Sequence, residues 1–247
     1  MIGIMGAMTE EISALVDAME PGGRSVRAGL RDYHVGRLWG HDVAVVFSRW
    51  GKVAAATTAT HLIAEFGAAS ILFTGVAGAA NPGLRIGDIV VAGDVYQHDM
   101  DARPIFPRHE IPLLGITAIE TDAVLRERLL VAAQRFIAEQ LTADVRPDAV
   151  QRFNLARPAV VIGGVASGDK FFASSDDIVK LHARLPVECV EMEGAAVAQV
   201  CYEHGVPFAM VRTISDTADE TAHIDFMAFV KEVASVYSRG ILRMMLV

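Results

Sequence analysis

One α/β domain with a mostly parallel, helix-covered sheet is the fold this sequence predicts, and three observations carry the prediction. Short apolar runs of strand length alternate with segments of helical period along the chain. No linker, low-complexity run or internal repeat divides the 247 residues, so residues 1–247 read as one body. The composition, 52% hydrophobic and 21% charged, is more apolar than an ordinary globular chain and supplies material for a large core.

The elements follow in order. Ile2 to Gly6 reads as a short buried strand, and Thr9 with Glu10 and Glu11 opens a helix that carries Ile12, Leu15 and Val16 at helical spacing. Alternation around Tyr33, Val35 and Leu38 and again over Val43 to Phe47 predicts a hairpin, with Gly40-His41-Asp42 as its turn. Lys52 to Phe66 keeps an apolar helical stripe and leads into a buried strand, Ser70 to Thr74. Gly75 to Gly83 reads as a Gly/Ala-rich loop, Asp88 to Val95 as a strand, and Gln97 to Leu114 as a long functional loop without period. Thr121 to Leu141 is an amphipathic helix, and Thr142 to Pro158 reads as a surface connection. A strand over Ala159 to Val165, a helix from Ser174 and Ser175, a strand over Val187 to Val190, a helix from Gly194 to His204, a strand over Pro207 to Ile214 and a last helix complete the pattern.

Composition also excludes partners. With 22 basic against 30 acidic residues the formal net charge is −8, and no Lys/Arg cluster could neutralise a run of phosphates, which argues against nucleic acid. No segment approaches the roughly 18 apolar residues that a membrane span needs. Cys189 and Cys201 lack metal or redox spacing and suit a reducing compartment. The opening MIGIMGAM reads as a Gly-interrupted strand, so a cytoplasmic location is expected. The eight histidines form no HExxH-like pair, so neither a metal nor another cofactor is expected.

In such a sheet the residues just after buried strands converge on one crevice. Five segments qualify: Gly6 to Glu11, Thr74 to Gly78, Ser167 to Phe172, Val190 to Gly194, and Arg212 to Asp216. Taken alone, Glu11 reads either as an acid facing the helix dipole or as a catalyst. Asp216 reads as an N-cap, a turn former or a functional acid, and Phe171 and Phe172 as core or as a base-stacking pair. Glu191 and Glu193, set between apolar residues, are costly unless partnered. The glycines of Gly75-Val76-Ala77-Gly78 lack P-loop and dinucleotide spacing and read as close backbone approach to a ligand. Acids with aromatics suggest a nucleoside pocket.

Taken in order, IGIMGAMTEEI, WGKVAAA, TGVAGA, IGDIVVAGD, QHDMD, ASGDKFF, VEMEGAAVAQVC and VRTISDTAD resemble the 5′-methylthioadenosine/S-adenosylhomocysteine nucleosidases of the nucleoside phosphorylase superfamily. The resemblance implies a three-layer α/β/α fold around a central mixed sheet, a homodimer, and cofactor-free hydrolysis of N-glycosidic bonds, releasing adenine. Glu11 matches the general base acting on water and Asp216 the acid that protonates adenine N7. Glu193 and Met192 match the ribose-binding pair, with Glu191 in support. Phe171 matches the residue stacked on adenine, Phe172 the one whose backbone reads its edge, and Arg212 and Ser215 polar positions around the water and the acid. Phe226 matches an aromatic closing the ribose and thio side, Met8 joins it as a substrate contact, and Ile105 and Phe106 are placed near the partner's site. Trp50 stands where small aliphatic residues are frequent and Val76 where some members have Ser; both bear on the 5′ pocket and raise a futalosine-type substrate as an alternative. A phosphorylase on the same scaffold is disfavoured because Thr9 and Glu11 occupy a loop where an Arg is expected. A silent nucleoside-binding protein is disfavoured by retention of Glu11, Glu193 and Asp216 together.

Overall fold

The structure is a computed structural model that describes residues 1–218 and 222–247. Asp219, the last residue of the VRTISDTAD stretch, lies outside the described residues. The strands are β1 (Ile2–Gly6), β2 (Arg24–Ala28), β3 (Arg31–Leu38), β4 (His41–Phe47), β5 (Ser70–Ala79), β6 (Ile89–Gln97), β7 (Ile119–Glu120), β8 (Val160–Ser167), β9 (Val187–Glu191) and β10 (Phe208–Asp216). The helices are α1 (Thr9–Asp17), α2 (Lys52–Ala64), α3 (Ala123–Glu139), α4 (Leu141–Asp144), α5 (Pro147–Arg152), α6 (Ser175–His182), α7 (Gly194–His204), α8 (Ala222–Phe229) and α9 (Ser235–Leu246).

The ten strands of the described residues join one mixed sheet. β1 lies between β4 and β5 and is parallel to both. The pairings of β5 with β10, β10 with β6, β6 with β8, β8 with β9 and β9 with β5 close a ring at the other side of the sheet. Three of these five ladders, β5–β10, β6–β8 and β8–β9, are parallel and two are antiparallel, so the sheet is mixed, as the sequence implies.

The uninterrupted apolar runs are explained by the two helical layers. Successive side chains of a strand point to opposite faces. Ile4, Val43, Val45, Leu72 and Val91 therefore pack with α1, α3 and α9. Their neighbours Met5, Ala44, Val46, Phe73 and Val90 pack with α2 and α7 on the other face. A strand buried on both sides has no polar face to show as alternation.

Several expectations are corrected. The hairpin turn is Trp39-Gly40, both at positive φ (49° and 83°), and His41 and Asp42 already belong to β4; two-residue turns that match strand twist need that conformation. β2 went unread because its residues are mostly exposed and polar, and only pairing with β3 organises it. Gly75 to Ala79 continues β5 instead of forming a loop, held by β10 on one side and β9 on the other. The connection after α3 folds into α4 and α5 and buries Val145, Ala149, Phe153 and Leu155. The last helix is two, joined by a π-helical turn over Val230–Ala234.

Candidate active site

The carboxyl ends of β1, β5 and β10 lie side by side because those strands are parallel neighbours, and β9 crosses the far end of β5, pairing Val190 with Gly78. Four acids from three separate segments, Glu11, Glu191 with Glu193, and Asp216, are thereby gathered around one cavity of about 430 Å³. Met8, Glu11, Trp50, Val76, Phe171, Phe172, Glu191, Met192, Glu193, Ser215, Asp216 and Phe226 all line it.

Glu11 sits at the third position of α1, fully buried. Its Oε2 accepts from the N–H groups of Ala7 (2.7 Å) and Met8 (2.9 Å), and its Oε1 from Val76 N–H at 3.1 Å. The local reading and the functional one thus coexist, since the carboxylate serves the helix start and faces the cavity. Burial lifts its pKa to about 7, against the opposing pull of the Arg212 cation and the three amides.

Glu193 immediately precedes α7, and its Oε1 accepts from Gly51 N–H at 2.7 Å. Burial, reinforced by the neighbouring Glu191 carboxylate, pushes its pKa up to about 8. Glu191 is fixed from several sides: Arg212 Nη2 donates to it at 2.8 Å, the N–H groups of Glu193 and Gly194 point at it, and Ser167 Oγ donates to it. Arg212 is 1% exposed, lies over the Phe73 ring at 4.1 Å, and does not line the cavity. The structure corrects its expected place: the guanidinium works from behind the wall, as the partner Glu191 needed.

Asp216 ends β10 just past a register shift after Ile214. Such an irregularity re-aims side chains at a strand end. Ser215 Oγ donates to Asp216 Oδ2 at 2.8 Å, and Ala218 N–H donates to Oδ1 at 2.9 Å. A Cβ on Gly78 would come within 2.8 Å of Asp216 Oδ1, and one on Gly75 within 3.0 Å of Glu11 Oε1. The close approach read for these glycines is therefore to the two acids.

The apolar walls complete the cavity. Phe171, 43% exposed, meets Phe226 edge to face at 5.8 Å between ring centres, while Phe172 is buried against His98. Trp50, 56% exposed, donates its indole N–H towards Met8 Sδ at 3.0 Å. Ala7 and Lys170, from two of the five converging segments, also line the cavity, as do His223 and Met227, which lie outside those segments. Lys170 adjoins Phe171, and His223 and Met227 share the α8 turn with Phe226, so helical spacing around Phe226 was the available signal. Ile105 and Phe106 do not line it. Among the described residues, no three His, Cys, Asp or Glu side chains gather as metal ligands.

The model of the phosphorylase superfamily matches residues 1–245. The chain belongs to the phosphorylase superfamily. Within it, the chain is 34% identical over 95% of its length to the 5′-methylthioadenosine/S-adenosylhomocysteine nucleosidase of Staphylococcus aureus, covering 94% of that protein. It is 32% identical over 96% of its length to the aminodeoxyfutalosine nucleosidase of Helicobacter pylori, again covering 94%. The structure superimposes on the Neisseria meningitidis 5′-methylthioadenosine/S-adenosylhomocysteine nucleosidase bound to methylthio-immucillin-A with a TM-score of 0.86, at 31% identity, covering 99% of this chain and 97% of that one. This superfamily member thus shares its fold with nucleosidases, and its acids stand around a cavity sized for a small molecule.

Proposed function

We propose that this protein hydrolyses the N-glycosidic bond of 5′-methylthioadenosine and S-adenosylhomocysteine, and of 5′-deoxyadenosine, releasing adenine and the 5-substituted ribose. The observation that carries the reading is the seat of Glu11. Three amides at the cavity wall that would suit a phosphate anion instead donate to a buried carboxylate. Phosphate brought to that position meets negative charge, whereas a neutral water meets a base.

The roles follow from charge development. As the C1′–N9 bond breaks, positive charge grows on the sugar and the bonding pair passes to the purine, as in glycoside cleavage generally. Glu11 takes a proton from water as its oxygen bonds to C1′, and Asp216 gives a proton to N7, so adenine leaves neutral. Glu193 accepts from the ribose hydroxyls and, in its ionised form, adds negative field beside the oxocarbenium centre. Ser215 orients Asp216, and Arg212 holds Glu191, which in turn positions the peptide of Glu193. Phe171 and Phe172 form the base side, with Met8, Trp50, Val76, Met192 and Phe226 around ribose and 5′ substituent.

A futalosine-type substrate is the second reading, supported by the likeness to the aminodeoxyfutalosine nucleosidase and by Trp50 at the cavity mouth. The proposal extends to a homodimer that places Ile105 and Phe106 near the partner's cavity, and to a cytoplasmic role in methionine salvage, which fits two unpaired cysteines. Among the described residues, no helix is long and apolar enough to cross a membrane. The test is incubation with methylthioadenosine, with and without phosphate, followed by identification of the sugar. Free 5-methylthioribose in both arms is expected; a sugar 1-phosphate formed only with phosphate would overturn hydrolysis.

A further inference from the structure

We propose that Asp169, Asp99 and Lys52 form a latch that positions the cavity's base-side and ribose-side walls against each other. This rests on the reading of the cavity as a nucleoside site. Lys52 Nζ donates to Asp99 Oδ1 at 2.6 Å and to Gln97 Oε1 at 3.1 Å. Asp99 Oδ2 accepts from Asp169 N–H at 3.0 Å, and Asp169 Oδ1 accepts from Lys52 N–H at 2.8 Å. The bonds close a cycle through the start of α2, the loop after β6 and the loop after β8.

Asp169 and Lys52 are each tied to a cavity wall by one or two covalent steps, and Asp99 joins them. Asp169 precedes Lys170, Phe171 and Phe172 in the chain. Lys52 follows Gly51, whose N–H donates to Glu193 at 2.7 Å, and Gly51 follows Trp50. The first two N–H groups at the α2 start are therefore divided between the ribose-side acid and the loop that carries the base-side aromatics. Gly51 has φ +88°, and a Cβ there would come within 2.9 Å of Asp169 Oδ1, so the turn admits the carboxylate only because it is glycine. Lys52 is largely covered in its contact with Asp99, a geometry in which a charged hydrogen bond holds position better than on an open surface. None of the three lines the cavity. They are positioning residues.

A latch that fixes walls acts on bound substrate and transition state alike. Asp169→Ala and Lys52→Met are expected to raise KM for methylthioadenosine and weaken adenine binding, read by tryptophan fluorescence, by about 10- to 100-fold, with kcat within a few-fold. Asp169→Asn, which keeps an acceptor for Lys52 N–H, is expected to recover most of the loss. Lys52→Met and Asp99→Asn break one ion pair, so their effects on KM should not add. Unchanged KM and adenine affinity in variants of lowered Tm, or full additivity of the pair, would overturn the latch. A wild-type protein that neither cleaves methylthioadenosine nor binds adenine would sink the functional reading instead. The latch is then judged by hydrogen exchange over 168–172, which Asp169→Ala should accelerate; unchanged exchange would overturn it.

Discussion

Glu11 carries a helix start and faces the cavity with the same carboxyl group, and its titration should be visible in both stability and rate. Its pKa in the folded chain is about 7 against an ordinary 4.5, because burial penalises the charge. The folded state therefore holds a proton that the unfolded chain has already released between about pH 4.5 and 7. Stability from this group falls as pH rises across that interval, and burial of Glu193 extends the fall to about pH 8. Glu11→Gln cannot titrate, so its Tm minus that of the wild type should increase from pH 4.5 to 7 and then level off. A pH-independent difference in thermal melts would contradict the shift. In the proposed mechanism the same ionisation supplies the base, so kcat/KM of the wild type should rise through about pH 7.

The two carboxyl groups proposed as base and acid are separable at the same scale. Glu11→Gln and Asp216→Asn should each fold and lose about 10²–10⁴-fold in turnover, the usual range for one positioned proton-transfer group. A substrate whose leaving group needs no protonation should rescue Asp216→Asn and leave Glu11→Gln slow. Equal rescue of both, measured by steady-state kinetics, would show that the acid has been misassigned.

Among the elements, the start of α2 and the segment after α3 make opposite predictions. Trp50 borders the cavity beside Gly51, with its indole N–H directed at Met8, so Trp50→Ala should alter the ranking of 5′ substituents more than it alters stability. Equal loss for methylthioadenosine, S-adenosylhomocysteine and 5′-deoxyadenosine, in step with loss of fold, would count against that. Leu155, fully buried in the core layer under α9 and α3, lies away from the cavity lining. Leu155→Ala should cost about 2–5 kcal/mol in denaturant unfolding while leaving KM unchanged. That segment escaped sequence reading because Thr142 to Pro158 mixes polar residues and proline with isolated apolar ones, and α4 and α5 are too short to show a period. Their burial exists only because the α3 and α9 layer is there to receive them.

For the whole molecule, Ile105 (81% exposed) and Leu113 (90% exposed) stand on the long loop between β6 and β7. Apolar groups this open on one loop fit a surface that a second copy covers. Ile105→Asp should shift the protein towards monomer in sedimentation velocity and raise KM for methylthioadenosine; an unchanged sedimentation coefficient would argue against Ile105 at the contact.

What the sequence determined by itself was the order and kind of the main buried strands and the longer helices, because a strand covered on both faces must be continuously apolar and an amphipathic helix must show its period. Motif order likewise marked Glu11, Glu193, Asp216 and the Phe171–Phe172 pair as site candidates before any coordinates. Only the tertiary structure decided which of these share one cavity, that Arg212 stands behind the wall with Glu191, and that the glycines at 75 and 78 make room for carboxylates. It alone revealed the bonds among Lys52, Asp99 and Asp169, which lie up to 117 residues apart in the chain. The reason is physical. Hydrophobic period is a local property that a sequence displays, whereas a hydrogen bond between distant segments exists only after the sheet has set their strand ends beside one another.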